Sequence, residues 1–223
     1  MQMASMLVSV EVARMGRLQD ERREETRQRL LEATVECLFE RGYVGMTTAE
    51  VAQRAGVSKG AQQYHFPKKE ELATAALQYL FQQRRVASQE ILGKLPKDRK
   101  ARISAIVDAL WPVYRDRIFY AWLELAVASR TDLALRESVH RISREFFDEA
   151  SKDWQKAFQE VGADARAFVG LNQIINGQLT ALALSQVLTD AEDSDETKAT
   201  LSALKEAGNF LLDRMKIPRR QVS

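Results

Sequence analysis

Cysteine, histidine, proline and glycine are all scarce: one Cys, two His, four Pro and ten Gly among 223 residues. The lone Cys37 excludes a disulfide framework and any paired-cysteine zinc or redox motif, and it fits a reducing compartment. His65 and His140 stand far apart with no Cys or Asp at ligand spacing, so no metal site is expected. No apolar run reaches the roughly 18 residues a membrane span needs, and the first ten residues lack the basic start and apolar centre of an export signal. There is no phosphate loop, nucleophile elbow or carboxylate pair, so neither catalysis nor a cofactor is expected. A net charge of only +2 is uninformative by itself. These absences describe a cytoplasmic, non-membrane protein with little turn material and no alternating strand pattern, which makes it all-α.

The apolar spacing outlines about nine helices, the short ones first. Residues 1–20 show no periodicity and read as a disordered extension, with Met3, Met6 and Met15 as possible internal starts. Residues 21–68 form a small first domain, 69–217 a larger bundle and 218–223 a tail. Leu31, Val35, Leu38 and Phe39 make the apolar stripe of a first helix, and Gly42 ends it. Short pieces follow over 47–55 and up to Phe66, where Pro67 stops the chain. A long helix over 70–92 is closed by Gly93 and Pro96, and Trp111-Pro112 marks a kink or boundary between helices over 98–110 and 118–129. Leu135, Val139, Ile142, Phe146, Ala150 and Ala157 outline the next helix, entered through Asp132 as a cap. The last two cover about 164–188 and 195–215. Between them Asp190, Glu192, Asp193, Asp195 and Glu196 read as a solvated turn with acids at a helix start.

The informative stretch is 47–72, TTAEVAQRAGVSKGAQQYHFPKKEEL. Two short helices crossing through a turn that contains Gly make a helix-turn-helix. Gly56 supplies the turn, Val57 the apolar plug, Ala52 the close approach and Ser58 the cap of the second helix. That helix is expected to present Lys59, Gln62 and Gln63 outward. Amides pair with the adenine edge, and Lys meets guanine or phosphate. From residue 51 to 69 there are four bases (Arg54, Lys59, Lys68, Lys69) and no acid, the footprint of a phosphate-facing surface.

Residues 27–72 resemble the N-terminal domain of the tetracycline-repressor (TetR) family of transcriptional regulators. The resemblance is carried by Leu38-Phe39-Glu40-Arg41-Gly42-Tyr43, Thr47-Thr48, Val51-Ala52, 55–60 and 66–72. It implies that a recognition helix lies near 58–66, offering Ser58, Lys59, Gly60, Gln62, Gln63, Tyr64 and His65 to the major groove. It also implies that Thr47, Thr48 and Lys69 bind phosphate. Gln62-Gln63 departs from the family's apolar-then-aromatic run and implies either that the tyrosine contact shifts to Tyr64 or that the base preference differs. Lys68 stands where a small capping residue is common. The partner so implied is double-stranded DNA with a palindromic operator, read by a homodimer whose two helices sit one DNA turn apart.

In the bundle, the helix near 168–188 is apolar on two stripes, so both sides of it should be buried. Leu171, Ile175 and Leu182, with Leu201, Leu204 and Leu211 of the last helix, are expected at the dimer interface, with burial inside a single subunit as the alternative. Trp111, Phe119, Tyr120, Trp122 and Phe146 with Glu124, Asn172 and Asn176 form a candidate cavity for an unidentified small-molecule effector. Glu124 there would favour a cationic ligand. An ion pair between Glu124 and Arg130, and ordinary core packing for each aromatic, are the competing readings. The expectation is a ligand-responsive repressor, with the helix over 70–92 as lever. A regulator controlled by a protein partner, or an all-helical adaptor or enzyme with a chance likeness, are the rivals.

Overall fold

The computed structural model describes the backbone of residues 2–160, 165–189 and 194–214, with side chains for 14–160, 168–189 and 194–214. Among these residues there are nine helices and no strand: α1 (Gln2–Gly45), α2 (Thr48–Arg54), α3 (Lys59–His65), α4 (Lys69–Lys94), α5 (Arg99–Tyr114), α6 (Arg117–Ala128), α7 (Leu133–Gln159), α8 (Ala165–Thr189) and α9 (Asp195–Arg214). None of them is long and apolar enough to cross a membrane. Asp190, Glu192 and Asp193 of the acidic turn, Met215 and the expected tail over 218–223 lie outside the described residues.

The chain forms two compact units, Met1–Leu80 with Tyr120–His140, and Phe81–Phe119 with Arg141–Ser223. The expected division at residues 68 and 69 is not the one the packing makes. The first turns of α4 bury Leu72, Ala73, Ala76, Leu77 and Leu80, Lys69 Nζ donates to the Val44 carbonyl at 3.3 Å, and Tyr79 donates to Glu32 at 3.4 Å. Those residues stay with the first unit, and 120–140 returns to it.

In the first unit, α1 buries Leu30, Leu31, Thr34, Val35, Cys37 and Leu38, each worth about 1.5–3 kcal/mol when it is a large aliphatic. Phe39, expected in that stripe, is 49% exposed and lies 6.1 Å from the Tyr120 ring. The helix breaks at Gly42, whose φ of 64° is the left-handed conformation foreseen for it. The disordered extension expected over 1–20 is instead helical, because α1 begins at Gln2. No proline interrupts it, and the described residues 14–25 are exposed on every side. Over 14–25 it is a helix built on propensity and local pairs such as Asp20–Arg23, 3.7 Å, with no buried face and so no apolar period to detect.

In the second unit, α5 packs on α8 and α9, and α8 on α9. The core joins Ile103, Ile106 and Val107 to Phe158, Phe168, Leu171, Ile175, Leu179 and Leu204. Two arginines of α5 tie helix ends to it. Arg99 donates to the Leu212 carbonyl in the last turn of α9. Buried Arg102 donates to the Pro96 and Ala157 carbonyls and pairs with Glu160 at 3.2 Å. Cations at helix C-termini satisfy carbonyls that have no partner within the helix. Trp111-Pro112 was expected to mark a kink or a boundary; it is not a boundary, because α5 continues through Pro112 to Tyr114. Placed in the last turn, the proline forfeits a single ladder bond. Asp132 caps α7 as expected, its Oδ1 accepting from Leu135 N at 3.1 Å.

Candidate nucleic-acid interface and candidate effector node

Each joint of the turn is closed by short-range bonds. Thr47, in extended conformation, caps α2 by accepting from Glu50 N at 3.2 Å. At the other end, Val57 N donates to Ala52 O at 3.0 Å and Gly56 N to Gln53 O at 3.1 Å, with Gly56 at φ 62°. This pair of bonds is the Schellman termination, which needs a left-handed residue where Gly56 stands. Ser58 then caps α3, its Oγ accepting from Ala61 N at 3.1 Å. Arg29 of α1 adds a brace that the sequence reading missed, donating to the carbonyls of Ala55 and Gly56.

The outward face of α3 consists of Lys59, Gly60, Gln63 and Tyr64, the last 68% exposed. Gln62 does not belong to it, contrary to expectation. It is 2% exposed, and its Nε2 donates to the Phe66 carbonyl at 2.6 Å. The Phe66 carbonyl lies past the last turn, where it has no partner within the helix, and the Gln62 amide satisfies it from the buried side. His65 is half-buried and edge-on to Tyr64, ring centres 5.3 Å apart. Burial, reinforced by Arg27, holds its pKa below the usual histidine value.

The local charge is also smaller than counted. Arg54 pairs with Glu40 at 2.7 Å and Glu50 at 2.9 Å, so it is engaged between α1 and α2. Lys69 sits 4.5 Å from the centre of the Tyr43 ring, and burial holds its pKa below the ordinary lysine value. Lys59 and Lys68 are exposed with no carboxylate partner among the described residues. On the other flank, Arg23 lies 5.9 Å from the Tyr64 ring and Arg27 5.9 Å from the Phe66 ring. Their four-residue spacing was the sequence signal that α1 presents cations beside α3. Thr47 spends its hydroxyl on the cap, while Thr48 is half-buried at the start of α2.

The residues expected to line an effector cavity divide between the units. Tyr120, Trp122 and Glu124 belong to the first. Glu124 is exposed, and its carboxylate oxygen lies 2.7 Å from where a Cβ on Gly42 would be, so it covers the break in α1 and is no cavity acid. Trp111, Phe119, Phe146, Asn172 and Asn176 belong to the second unit. There Phe146 stacks on Phe81 with ring centres 4.2 Å apart, and buried Trp111 lies under Arg115 at 5.6 Å. Buried Phe119 meets Tyr114 at 5.0 Å. Tyr114 donates to Asn176 Oδ1, and Asn176 Nδ2 donates to Asn172 Oδ1 at 2.8 Å.

Arg84 of α4, which the sequence reading passed over, lies 5.1 Å from the Tyr114 ring centre and 5.9 Å from that of Phe119. A cavity of about 590 Å³ opens one turn further along α4, lined by Ala87, Glu90 and Ile91 with Ala105, Asp108 and Ala109 of α5. None of the expected cavity residues lines it. The expected dimer residues Leu171, Ile175, Leu182 and Leu204 are at most 9% exposed within the chain. They are core of this unit and leave the other stripe of α8 bare.

The model of the family described as "Bacterial regulatory proteins, tetR family" matches residues 30–76. The HTH-type transcriptional regulator CymR of Pseudomonas putida is 40% identical over 125 residues, 56% of this chain and 61% of CymR. The chain spans 61–65% of the length of several curated regulators it matches. The HTH-type transcriptional regulator BetI of Burkholderia ambifaria is 30% identical over 164 residues, 70% of this chain and 80% of BetI. Among solved structures, the transcriptional regulator FadR of Bacillus subtilis in complex with stearoyl-CoA has a TM-score of 0.58 at 21% identity, covering 83% of this chain and 96% of FadR. With a helix-turn-helix closed by Gly56 and Ser58 inside the matched span, the chain belongs to the tetR family of bacterial regulatory proteins.

Proposed function

We propose that this protein is a DNA-binding transcriptional regulator that acts as a homodimer on a two-half-site operator and releases it when a small effector binds the second unit. One observation carries the DNA-binding part. α3 is capped and braced on its inner side by Ser58, Gln62 and Phe66, while Lys59, Gly60, Gln63 and Tyr64 face solvent together. A short rigid helix with a polar, cationic outer face is what the major groove admits. The names of the relatives, HTH-type transcriptional regulators, support the reading.

The effector part is supported by the polar groups set among rings in the second unit and by FadR, a protein of the same fold seen with stearoyl-CoA. α4 contributes Lys69–Leu80 to the first unit and its remainder to the second, which makes it the covalent lever between reading head and effector node. Effector would favour the state in which the two α3 helices no longer match successive grooves, by no more than its difference in affinity between the states. Repression is the simplest outcome of such release.

Selection of bound sites from random duplex DNA tests the proposal. The expected product is a near-palindrome with half-sites one turn apart, bound with an affinity that falls steeply as salt rises. Recovery of no preferred sequence would remove the proposal.

A further inference from the structure

We propose that the effector node of the second unit takes an organic monoanion, a carboxylate with an apolar body, whose charge is met by Arg84. This rests on the effector-responsive reading above and assigns that effector its charge. Arg84 is half-buried, and its guanidinium is bounded by the Tyr114 and Phe119 rings at 5.1 and 5.9 Å. Both rings are buried.

Among the described residues no carboxylate is within ion-pair reach of Arg84, whereas its neighbour Arg85 pairs with Glu149. The polar groups on its side are neutral: the Tyr114 hydroxyl, then Asn176, then Asn172, joined in one hydrogen-bonded chain. Asp116 is the carboxylate whose charge acts on Arg84, and its Oδ1 accepts from the Ile118 N–H. A cation in this position has given up water without gaining an anion, which is the unfavourable half of a buried ion pair. Burial accordingly holds the Arg84 guanidinium below its ordinary pKa, and the Tyr114 bond offsets this only in part.

The chemistry of the missing half follows from the donors. A guanidinium fork meets a carboxylate through two parallel hydrogen bonds, and one fork neutralises one charge. The Tyr114 and Phe119 rings, 5.0 Å from each other, lie together on one side of the guanidinium and make that side apolar. The cavity of about 590 Å³, which Arg84 and the two rings do not themselves line, begins at Ala87, one helical turn from Arg84, and has the volume of a small-molecule site. Of the two acids in its lining, Asp108 is paired with Lys205 at 2.5 Å, and the exposed Glu90 shares the lining with Lys94. The preference is the reverse of the cationic one expected from Glu124, which is exposed and belongs to the other unit.

The test uses the full chain bound to its selected duplex and two sets of shape-matched probes: 3-phenylpropionate, its amide and 3-phenylpropylamine; octanoate, octanamide and octylamine. At least one carboxylate should raise the melting temperature and release DNA, while its amide and amine do neither at tenfold higher concentration. Arg84→Met and Arg84→Gln should raise the half-effective carboxylate concentration at least tenfold with DNA affinity unchanged in its absence, and Arg84→Lys should recover part of the response. Without ligand, Arg84→Met should melt no lower than the parent, because it removes a cation lacking a counter-charge. Met and Gln together guard against loss through misfolding of one variant. The proposal is overturned if neither carboxylate acts, if an amide or amine acts equally well, or if both variants respond like the parent. DNA release by an amide or amine would leave effector response standing and remove only the charge assignment. Absence of any preferred duplex would remove the underlying reading itself.

Discussion

The Nη2 of Arg29 donates to the Gly56 carbonyl at 3.0 Å and stands 2.7 Å from the point a Cβ on residue 56 would occupy. Residue 56 therefore meets two demands at once, a left-handed φ of 62° and room for a guanidinium. Gly56→Ala should cost about 2 kcal/mol, roughly half from the left-handed backbone and half from displacing Arg29. Urea unfolding followed by circular dichroism checks it, and a midpoint equal to the parent's would refute the brace. Arg29→Met keeps the glycine and should cost about 2 kcal/mol, the worth of two typical lost hydrogen bonds, those to the Ala55 and Gly56 carbonyls. It should also weaken operator binding, because the turn that orients α3 is no longer tied to α1.

Gln62 and Gln63 are adjacent and opposite in role, one buried against the Phe66 carbonyl and one exposed. Gln62→Glu replaces the donor by an acceptor facing a carbonyl in a buried position and should destabilise by about 2–3 kcal/mol. Gln63→Glu should leave the melting temperature within a degree or so of the parent and abolish operator binding by placing a negative charge against the groove. Melting curves and gel shifts on both variants separate the two. Equal stability for both would mean that Gln62 is not held as observed.

Cys37 is fully buried, and burial pushes its thiol up from 9.0 to about 11, with Arg54 opposing and Glu50, Glu40 and Glu36 adding to the shift. Two consequences follow. At pH 8 the native protein should resist a thiol-directed reagent that labels it promptly in denaturant. Above pH 9 the unfolded chain sheds the proton before the folded one does, so this group's contribution, complete below pH 9, is lost as pH rises toward 11. The slope cannot exceed about 1.4 kcal/mol per pH unit for one proton. Cys37→Ala should show a shallower alkaline loss than the parent in urea titrations between pH 8.5 and 10.5. Parallel curves would dissociate Cys37 from that loss.

The parts of the interface written in local chemistry were legible. Thr47, Gly56 and Ser58 act on backbone groups within five residues, so residue type and spacing suffice to place the caps and the turn. Facing is a different matter. A seven-residue helix has too few turns for a period, so nothing in the sequence turned Gln62 inward and Gln63 outward. Arg84 and Arg85 sit side by side in a polar run, and only the tertiary packing sends one beneath rings and the other to Glu149. Glu124 drew notice as a charge among apolar neighbours, yet it lies over Gly42, 82 positions earlier in the chain. The described side chains ahead of residue 21, those of 14–20, have no buried face, so the apolar period that marks the other helices is missing there.

α8 illustrates the same limit, with two apolar stripes of which only one is used within the chain. Leu171, Ile175, Leu179 and Leu182 are buried. Ile174, Gly177, Ala181, Leu184 and Leu188 lie on the solvent side at positions 0, 3, 7, 10 and 14 of a heptad-like run. Leu188 is 84% exposed and Ile174 45%. Small residues between large ones let two such helices approach closely, and a second copy offers the identical face about a two-fold axis. The double variant Ile174→Glu, Leu188→Glu should therefore run as a monomer by light scattering with an unchanged circular dichroism spectrum. Its affinity for a two-half-site duplex should fall toward that for a single half-site. Leu171→Glu, by contrast, puts a charge into the core and should unfold the second unit outright. If the double variant remains dimeric and binds as before, the solvent-side stripe of α8 is not the interface.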